Sequence, residues 1–379
     1  MSIAIVGGGL AAATAATELR ERGYDGDVVI YAAEDHLPYE RPPLSKDVLL
    51  GTKDIDSAIV HDEGWYTANR VRLERGVAVT AIDAAAHTLR VEPVGGGAES
   101  EHEYDRLLLA TGATARHFDV ADRVCDPVYL RTVEDNTRLR AALRPGAKVV
   151  IVGAGWIGLE VASAARQKDA EVTVYEVGDL PLVSVLGPEV ARLFADLHRA
   201  HGVDLRLSTA VDEAALAAAD VVVVGIGAIP STRLAEEAGL DVDHGVLVDE
   251  RLRTSDPDIY AVGDVANHQH PVLGRRIRVE HWDTAIEQAK VAAHNLLGDE
   301  EPYTHLPYFF TDQYDLGMEY FGSVGPEGYD RVDIEGDTDV ANGGAFRAYW
   351  VHDGVVRAAM HANDWDASDA VRDSVGTER

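Results

Sequence analysis

The chain has 379 residues, 46% of them hydrophobic, a composition of folded cores and not of a disordered polymer. Its 65 Asp and Glu against 34 Lys and Arg give a formal charge of −31, the wrong sign for general binding to a phosphate backbone. A single cysteine, Cys125, excludes an intrachain disulfide and a CxxC redox pair, which suits a cytoplasmic location.

The opening MSIAIVGGG enters a fold element at once, so no secretory leader is expected, and no apolar run has the length of a spanning helix. Residues 2–6 read as a buried strand that stops at Gly7-Gly8-Gly9, and residues 11–22 read as a helix rich in Ala, Leu, Glu and Arg. In this pattern Gly7 makes the turn, Gly9 leaves room for a pyrophosphate, and Ala12 lets the helix close on the sheet. The helix N-terminus then offers unpaired N–H groups to phosphate. A second strand at 27–31 precedes Glu34, which follows Ala12 by 22 residues and suits an adenosine ribose. A short strand at 106–110 ends in Ala110-Thr111-Gly112-Ala113.

A second fingerprint begins after the turn signal Arg144-Pro145-Gly146. The strand at 148–152 enters Gly153-Ala154-Gly155-Trp156-Ile157-Gly158, a full GxGxxG, followed by a helix and a strand at 171–175. Glu176 lies 18 residues after Gly158, where an acid pairs with a ribose 2′-OH and repels a 2′-phosphate, so NADH is expected over NADPH. Glu160, two residues past Gly158, is expected on the first turn of the helix, where the helix field favours a carboxylate.

Further apolar runs at 220–224 and 259–262 stop at Gly225-Ile226-Gly227 and at Gly263-Asp264. A helix at about 283–297 follows Glu280-His281-Trp282; its positive end suits an electron-rich ring, and Trp282 fits core packing or ring stacking equally well. From Tyr308 onward aromatic residues alternate with glycine turns, the pattern of a small antiparallel β domain. His268, His270, His281 and His294 lack ligand spacing, so no metal is expected. Ser231, Ser323 and Ser368 lack a G-x-S-x-G elbow. Two dinucleotide turns in one chain point to an enzyme that moves electrons between two cofactors.

The segment His36-Leu37-Pro38-Tyr39-Glu40-Arg41-Pro42-Pro43-Leu44-Ser45-Lys46 is more specific than either glycine turn. Together with both fingerprints, Leu130-Arg131-Thr132, Glu280-His281-Trp282 and the run from Pro307 to Tyr314, it resembles the FAD- and NADH-dependent ferredoxin reductases. These serve bacterial Rieske dioxygenase and cytochrome P450 systems. The resemblance spans almost the whole chain and implies an α/β, glutathione-reductase-like fold. It has two Rossmann-type nucleotide-binding domains and a small C-terminal antiparallel β domain. The implied boundaries are residues 1–113 and 242–306 for an FAD-binding domain, 114–241 for an NAD-binding domain, and 307–379 for the β domain.

The same resemblance implies that Gly7, Gly9, Ala12, Glu34, Arg41, Lys46, Thr111, Gly112, Asp264 and Trp282 surround FAD. Val79, after the strand leading from Gly76, would lie near its adenine end. Gly153, Gly155, Gly158 and Glu176 would bind NAD, and Arg131, Ile157, Gly227, Gly263 and Glu280 join the cofactor-binding set. Lys46 and Glu160 would be an ion pair near the flavin ring and are the candidate catalytic residues. Related NADH oxidases and peroxidases carry a redox cysteine where this chain has Leu44-Ser45-Lys46.

The implied activity is hydride transfer from NADH to FAD, then single-electron transfer to a [2Fe-2S] ferredoxin serving an oxygenase. An NADH oxidase or diaphorase using oxygen or a small acceptor is the enzyme alternative; an NAD-responsive signalling or scaffold flavoprotein is the other. Arg275-Arg276-Ile277-Arg278 is a candidate positive docking patch in an acidic chain. Neither nucleic acid nor membrane is an expected partner, and the state is monomer or homodimer. Two departures from the family pattern stand out: residues 208–218 form only a short connection in place of strands around a hairpin, and the tail after Trp350 is short.

Overall fold

Strand Ser2–Val6 lies in the middle of a five-stranded sheet whose neighbours are all parallel, in the order Ile259–Ala261, Arg106–Leu109, Ser2–Val6, Asp27–Ala32, Val71–Arg75. The computed structural model describes residues 1–326 and 328–379. Ile3 and Ile5 are fully buried and their neighbours nearly so, as expected for a parallel strand covered on both faces. Helix Leu10–Glu21 buries five alanines and Leu19, and the small side chains let it pack closely with helix Trp282–Leu296. Three antiparallel strands, Val77–Asp83, Thr88–Pro93 and Ser100–Glu103, belong to the same unit, which comprises Met1–Glu40, Ala58–Thr114 and Ile229–His305.

The second unit comprises Arg41–Ser57, Ala115–Ala228 and Leu306–Arg379. Its parallel sheet has the order Asp204–Arg206, Glu171–Tyr175, Lys148–Val152, Val221–Val224. Its antiparallel sheet has the order Tyr308–Gln313, Leu316–Gly322, Val355–Ala362, Phe346–His352, Arg331–Gly336. Both sheets share one hydrophobic cluster, in which Leu159, Phe194, Met318 and Trp350 are almost wholly buried. Helix Val183–Ala200 kinks at Gly187-Pro188, and Trp350 Nε1 donates to the Leu186 carbonyl at that kink over 3.1 Å.

Each parallel sheet has a switch point, where the chain leaves the middle strand to one side and returns on the other. In the first unit it falls between Ser2–Val6 and Arg106–Leu109; in the second, between Lys148–Val152 and Val221–Val224. These are the places where the sequence puts its glycines.

Several local expectations shift. The segment expected as a bare connection at 208–218 contains a helix, Glu213–Ala218, whose first turn is capped by the Asp212 carboxylate accepting from Ala215 N at 2.7 Å. The last helix of the first unit begins at Trp282 itself, one residue earlier than expected. Val79 lies inside strand Val77–Asp83, paired with Val91, and not after a strand. The tail beyond Trp350 contributes strand Val355–Ala362 and helix Ser368–Ser374.

Candidate functional site

The first unit gathers Gly7, Gly9, Ala12, Glu34, Val79, Thr111, Gly112, Gly263, Asp264, Glu280 and Trp282. Gly7 has φ +123°, and a Cβ there would lie 2.1 Å from the Ala110 carbonyl oxygen. Only glycine fits where the two middle strands come together. A Cβ on Gly9, by contrast, would meet nothing within 4 Å. That open space at the head of helix Leu10–Glu21 suits a pyrophosphate. The Glu34 carboxylate accepts from the Tyr39 hydroxyl over 2.5 Å, and Thr111 Oγ donates to the Ser231 carbonyl over 3.0 Å. Gly263 N donates to Gln288 Oε1 over 2.8 Å, fixing the turn that presents Asp264.

Arg275–Ile277 forms a strand, and its arginines are partly committed to the local fold. Arg276 Nη1 donates to the Val248 and Asn267 carbonyls, both at 2.8 Å. Arg278 donates to the Asp264 carbonyl and pairs with Glu280 at 2.5 Å. The predicted patch therefore carries less unneutralised charge than its sequence suggests.

The second unit gathers Arg41, Lys46, Arg131, Gly153, Gly155, Ile157, Gly158, Glu160, Glu176 and Gly227. Gly153 has φ +99°, and a Cβ on it would lie 2.5 Å from the Gly225 carbonyl oxygen. A Cβ on Gly155 would meet only that same oxygen at 3.8 Å, so the turn is again open at its second glycine. The Glu176 carboxylate accepts from Ala154 N and Gly178 N, each at 2.7 Å, which fixes its negative charge beside the turn. Ile157 is 41% exposed at the start of the helix, as a contact for a bound nucleotide would be.

Glu160 is not on the first turn of helix Trp156–Gln167, as the sequence suggested; it is the fifth residue and 4% exposed. Beyond the first turn the helix field is weak, so other groups must hold its charge. Lys46 Nζ lies 2.8 Å from Glu160 Oε1. Thr311 Oγ donates to Oε1 over 2.6 Å, and Ser45 Oγ donates to Oε2. Lys46 also sits 5.4 Å from the centre of the Phe310 ring. A buried ion pair is tolerated when its remaining lone pairs are satisfied, and here both carboxylate oxygens are.

The segment that carries Lys46 is clamped in place. Asn136 Nδ2 donates to the Leu44 carbonyl over 2.7 Å, and Arg41 donates to the Arg131 carbonyl. Asn136 belongs to, and Arg131 flanks, helix Val133–Ala142, whose capping box joins Thr132 and Asp135. No sequence motif assigns a role to Ser45 or Thr311. Neither carries a periodic signal; only their proximity to Glu160 reveals them. Among the described residues, no group of His, Cys, Asp or Glu is placed to hold a metal, and no helix is long and apolar enough to cross a membrane.

A family model described as pyridine nucleotide-disulphide oxidoreductase matches residues 1–289. The ferredoxin–NAD(+) reductase component of the anthranilate 1,2-dioxygenase system of Burkholderia cepacia is 42% identical over 337 residues, covering 85% of this chain and 82% of its own. A rubredoxin–NAD(+) reductase of Pseudomonas putida is 36% identical, covering 88% of this chain and 89% of its own. The solved covalent complex of putidaredoxin reductase with putidaredoxin superimposes with a TM-score of 0.91 at 32% identity, covering 100% of this chain and 94% of that one.

Proposed function

The chain belongs to the pyridine nucleotide-disulphide oxidoreductase family, in its group of ferredoxin– and rubredoxin–NAD(+) reductases, and from that premise we propose that it passes electrons from NADH through FAD to a [2Fe-2S] ferredoxin serving an oxygenase. The observation that carries this reading is the pair of switch-point turns, each open at its second glycine and each followed by an acid. The family's name refers to disulphide chemistry, which needs two thiols, and Cys125 stands alone. Burial, followed by the charges of Asp122 and Asp126, pushes its thiol up, away from the reactive thiolate.

FAD, when bound, accepts a hydride and returns electrons one at a time. In this reading Gly7, Gly9 and Ala12 seat its pyrophosphate, Glu34 takes its ribose, and Thr111, Gly112, Gly263, Asp264, Glu280 and Trp282 line it, with Val79 toward the adenine. The FAD-binding domain is then 1–113 with 242–306, the NAD-binding domain 114–241 and the β domain 307–379. Gly153, Gly155, Ile157, Gly158 and Gly227 seat NADH, and the fixed charge of Glu176 turns away a 2′-phosphate. Arg41 and Arg131 hold the Lys46 segment, and the Lys46–Glu160 pair sets the charge offered to the flavin. A lone cysteine suits a reducing compartment and supports a cytoplasmic location.

In this reading the ferredoxin docks on the face of Arg275, Arg276 and Arg278, where positive charge would steer an acidic carrier. Reversing Arg276 should slow ferredoxin turnover most at low salt and leave NADH reduction of the flavin intact; equal turnover at every ionic strength removes this face from consideration.

The reading is tested by purifying the protein without added flavin, recording its visible spectrum, and adding NADH or NADPH anaerobically in a stopped-flow instrument. Prompt bleaching by NADH, and slow bleaching by NADPH, is the expected result. A folded, FAD-loaded protein that neither nucleotide reduces sinks the reductase reading in favour of a signalling flavoprotein. Fast turnover on oxygen without any ferredoxin favours the oxidase.

A further inference from the structure

We infer that Tyr314, His198, Gln313 and Thr311 form a one-way hydrogen-bond chain that positions Glu160, and through it Lys46, without passing a proton along it. The inference rests on reading Lys46 and Glu160 as the groups that tune the flavin. Its geometry stands on the second unit alone.

The directions follow from the carboxylate outward. Glu160 is paired with Lys46, so it is ionised and can only accept. Thr311 must give it its single hydroxyl proton, over 2.6 Å. The lone pair left on Thr311 Oγ then receives the Gln313 amide nitrogen at 3.2 Å, which fixes the amide's orientation. Gln313 Oε1 therefore faces His198 Nε2 at 2.8 Å, and that nitrogen must carry a proton. Burial pushes the His198 imidazole down to about 4, so the ring is neutral at pH 7 and its Nδ1 is bare. Nδ1 then accepts from the Tyr314 hydroxyl at 3.2 Å. Burial raises the Tyr314 hydroxyl far above its ordinary value, so it keeps the proton it donates.

Every proton in this chain points toward Glu160, and bonds aligned head to tail strengthen one another. Thr311, Gln313 and His198 are fully buried, so water does not compete for any link. The outer end is covered by His201, whose ring stacks on Tyr314 with centroids 3.6 Å apart. The backbone is locked in register as well. Ser163, one turn beyond Glu160 on the same helix, accepts from Tyr314 N at 2.7 Å, while Glu160 accepts from Thr311. A spacing of three on the helix thus matches a spacing of three from the strand into the turn that follows it.

A carboxamide donates through nitrogen and accepts through oxygen. Passing a proton across it would require the high-energy imidic acid. Gln313 therefore transmits orientation and polarisation along this chain but not protons. Thr311, Gln313 and His198 are positioning residues.

The test begins on the wild-type holoenzyme labelled with 15N-histidine. Long-range 15N–1H spectra should show, between pH 5 and 8, a neutral histidine protonated on Nε2 that is assigned to His198 by its loss in His198→Gln. Thr311→Val, which keeps the volume and removes the hydroxyl, should lower kcat for NADH-driven flavin reduction by about tenfold and leave KM for NADH unchanged. It should also shift the flavin midpoint potential, and Thr311→Ser should restore both. An Nδ1–H tautomer or a His198 that titrates near 6.5 overturns the chain. So does a Thr311→Val protein with wild-type kcat and potential. A protein without flavin overturns the reductase reading alone, because the tautomer is measured independently of it.

Discussion

The two nucleotide turns share strand, turn, helix and acid, yet they differ at three positions. Where the first turn has Ala12, fully buried against the sheet, the second has Gly158, whose added Cβ would lie 2.1 Å from the Gly153 carbonyl oxygen. Glu34 receives a neighbouring side chain, Tyr39, whereas Glu176 receives the turn's own N–H groups. Two residues beyond each third position stands Thr14 in the first helix and Glu160 in the second. The difference lies in what each helix is asked to hold. The first turn closes on a buried alanine, while the second is a tighter turn with a buried charge built into its helix.

The largest effect should come from that charge. Lys46→Met leaves Glu160 buried without its counter-ion and should cost about 3–5 kcal/mol of stability, read from urea unfolding. The double variant Lys46→Met/Glu160→Leu should recover most of the loss; if the single variant is as stable as wild type, the second helix carries no more electrostatic demand than the first.

Acid should load the buried network behind that charge. His198 falls to about 4 on folding from an ordinary value of 6.5, so between those values the unfolded chain binds more protons and stability falls as pH drops. Its share is about 3 kcal/mol, complete near pH 4 and absent above 6.5; His198→Gln should flatten the acid limb by that amount. His268 in the first unit, pushed to about 3 by burial, then by His270 and Arg276, adds to this limb. His305 in the first unit works in the opposite direction. Its hydrogen bond to Asp283 raises it, so it stabilises below 6.5 and that stability is lost as pH rises through its folded value.

At the third position, Gly158→Ala should lower kcat/KM for NADH by about 100-fold with flavin retained. Ala12→Gly should keep both activities and lose only about 0.5–1 kcal/mol of stability. Flavin loss in Ala12→Gly, or a silent Gly158→Ala, breaks the comparison. The smallest effect is expected at Glu176: substitution by Ala should narrow the ratio of kcat/KM for NADH over NADPH by roughly tenfold, and an unchanged ratio would move specificity elsewhere.

The parallel strands were legible because burial on both faces makes them continuous apolar runs that end at glycine. Lys148–Val152 and Glu171–Tyr175 match their expected limits, and Ser2–Val6 does too. Glu160 was found but misplaced, since a spacing of two from a glycine does not say where the helix starts. Helix Glu213–Ala218 had a readable cap in Asp212, but six residues carry too little periodicity to announce a helix. Lys46 as a partner of Glu160 followed from the family resemblance, but the hydrogen-bond chain behind the carboxylate was illegible for a different reason. Thr311, Gln313 and His198 meet through tertiary packing, and no local pattern records which distant side chain a buried carboxylate will face. The grouping of Leu306–Arg379 with Ala115–Ala228 is likewise a property of a shared core and not of any motif.

The order of the antiparallel sheet has a consequence for how the protein is made. Its latest strand, Val355–Ala362, lies between Leu316–Gly322 and Phe346–His352, so the sheet closes only after residue 362 has been synthesised. Thr311 follows Glu160 by 151 residues, which at roughly 5–20 residues per second is about 8–30 s of translation. During that interval the parallel sheet of the second unit can form, and Lys46 already exists to meet Glu160. The nascent chain thus carries a charged pair in a partly built core until its final strand arrives, and the window for misfolding or chaperone capture opens there.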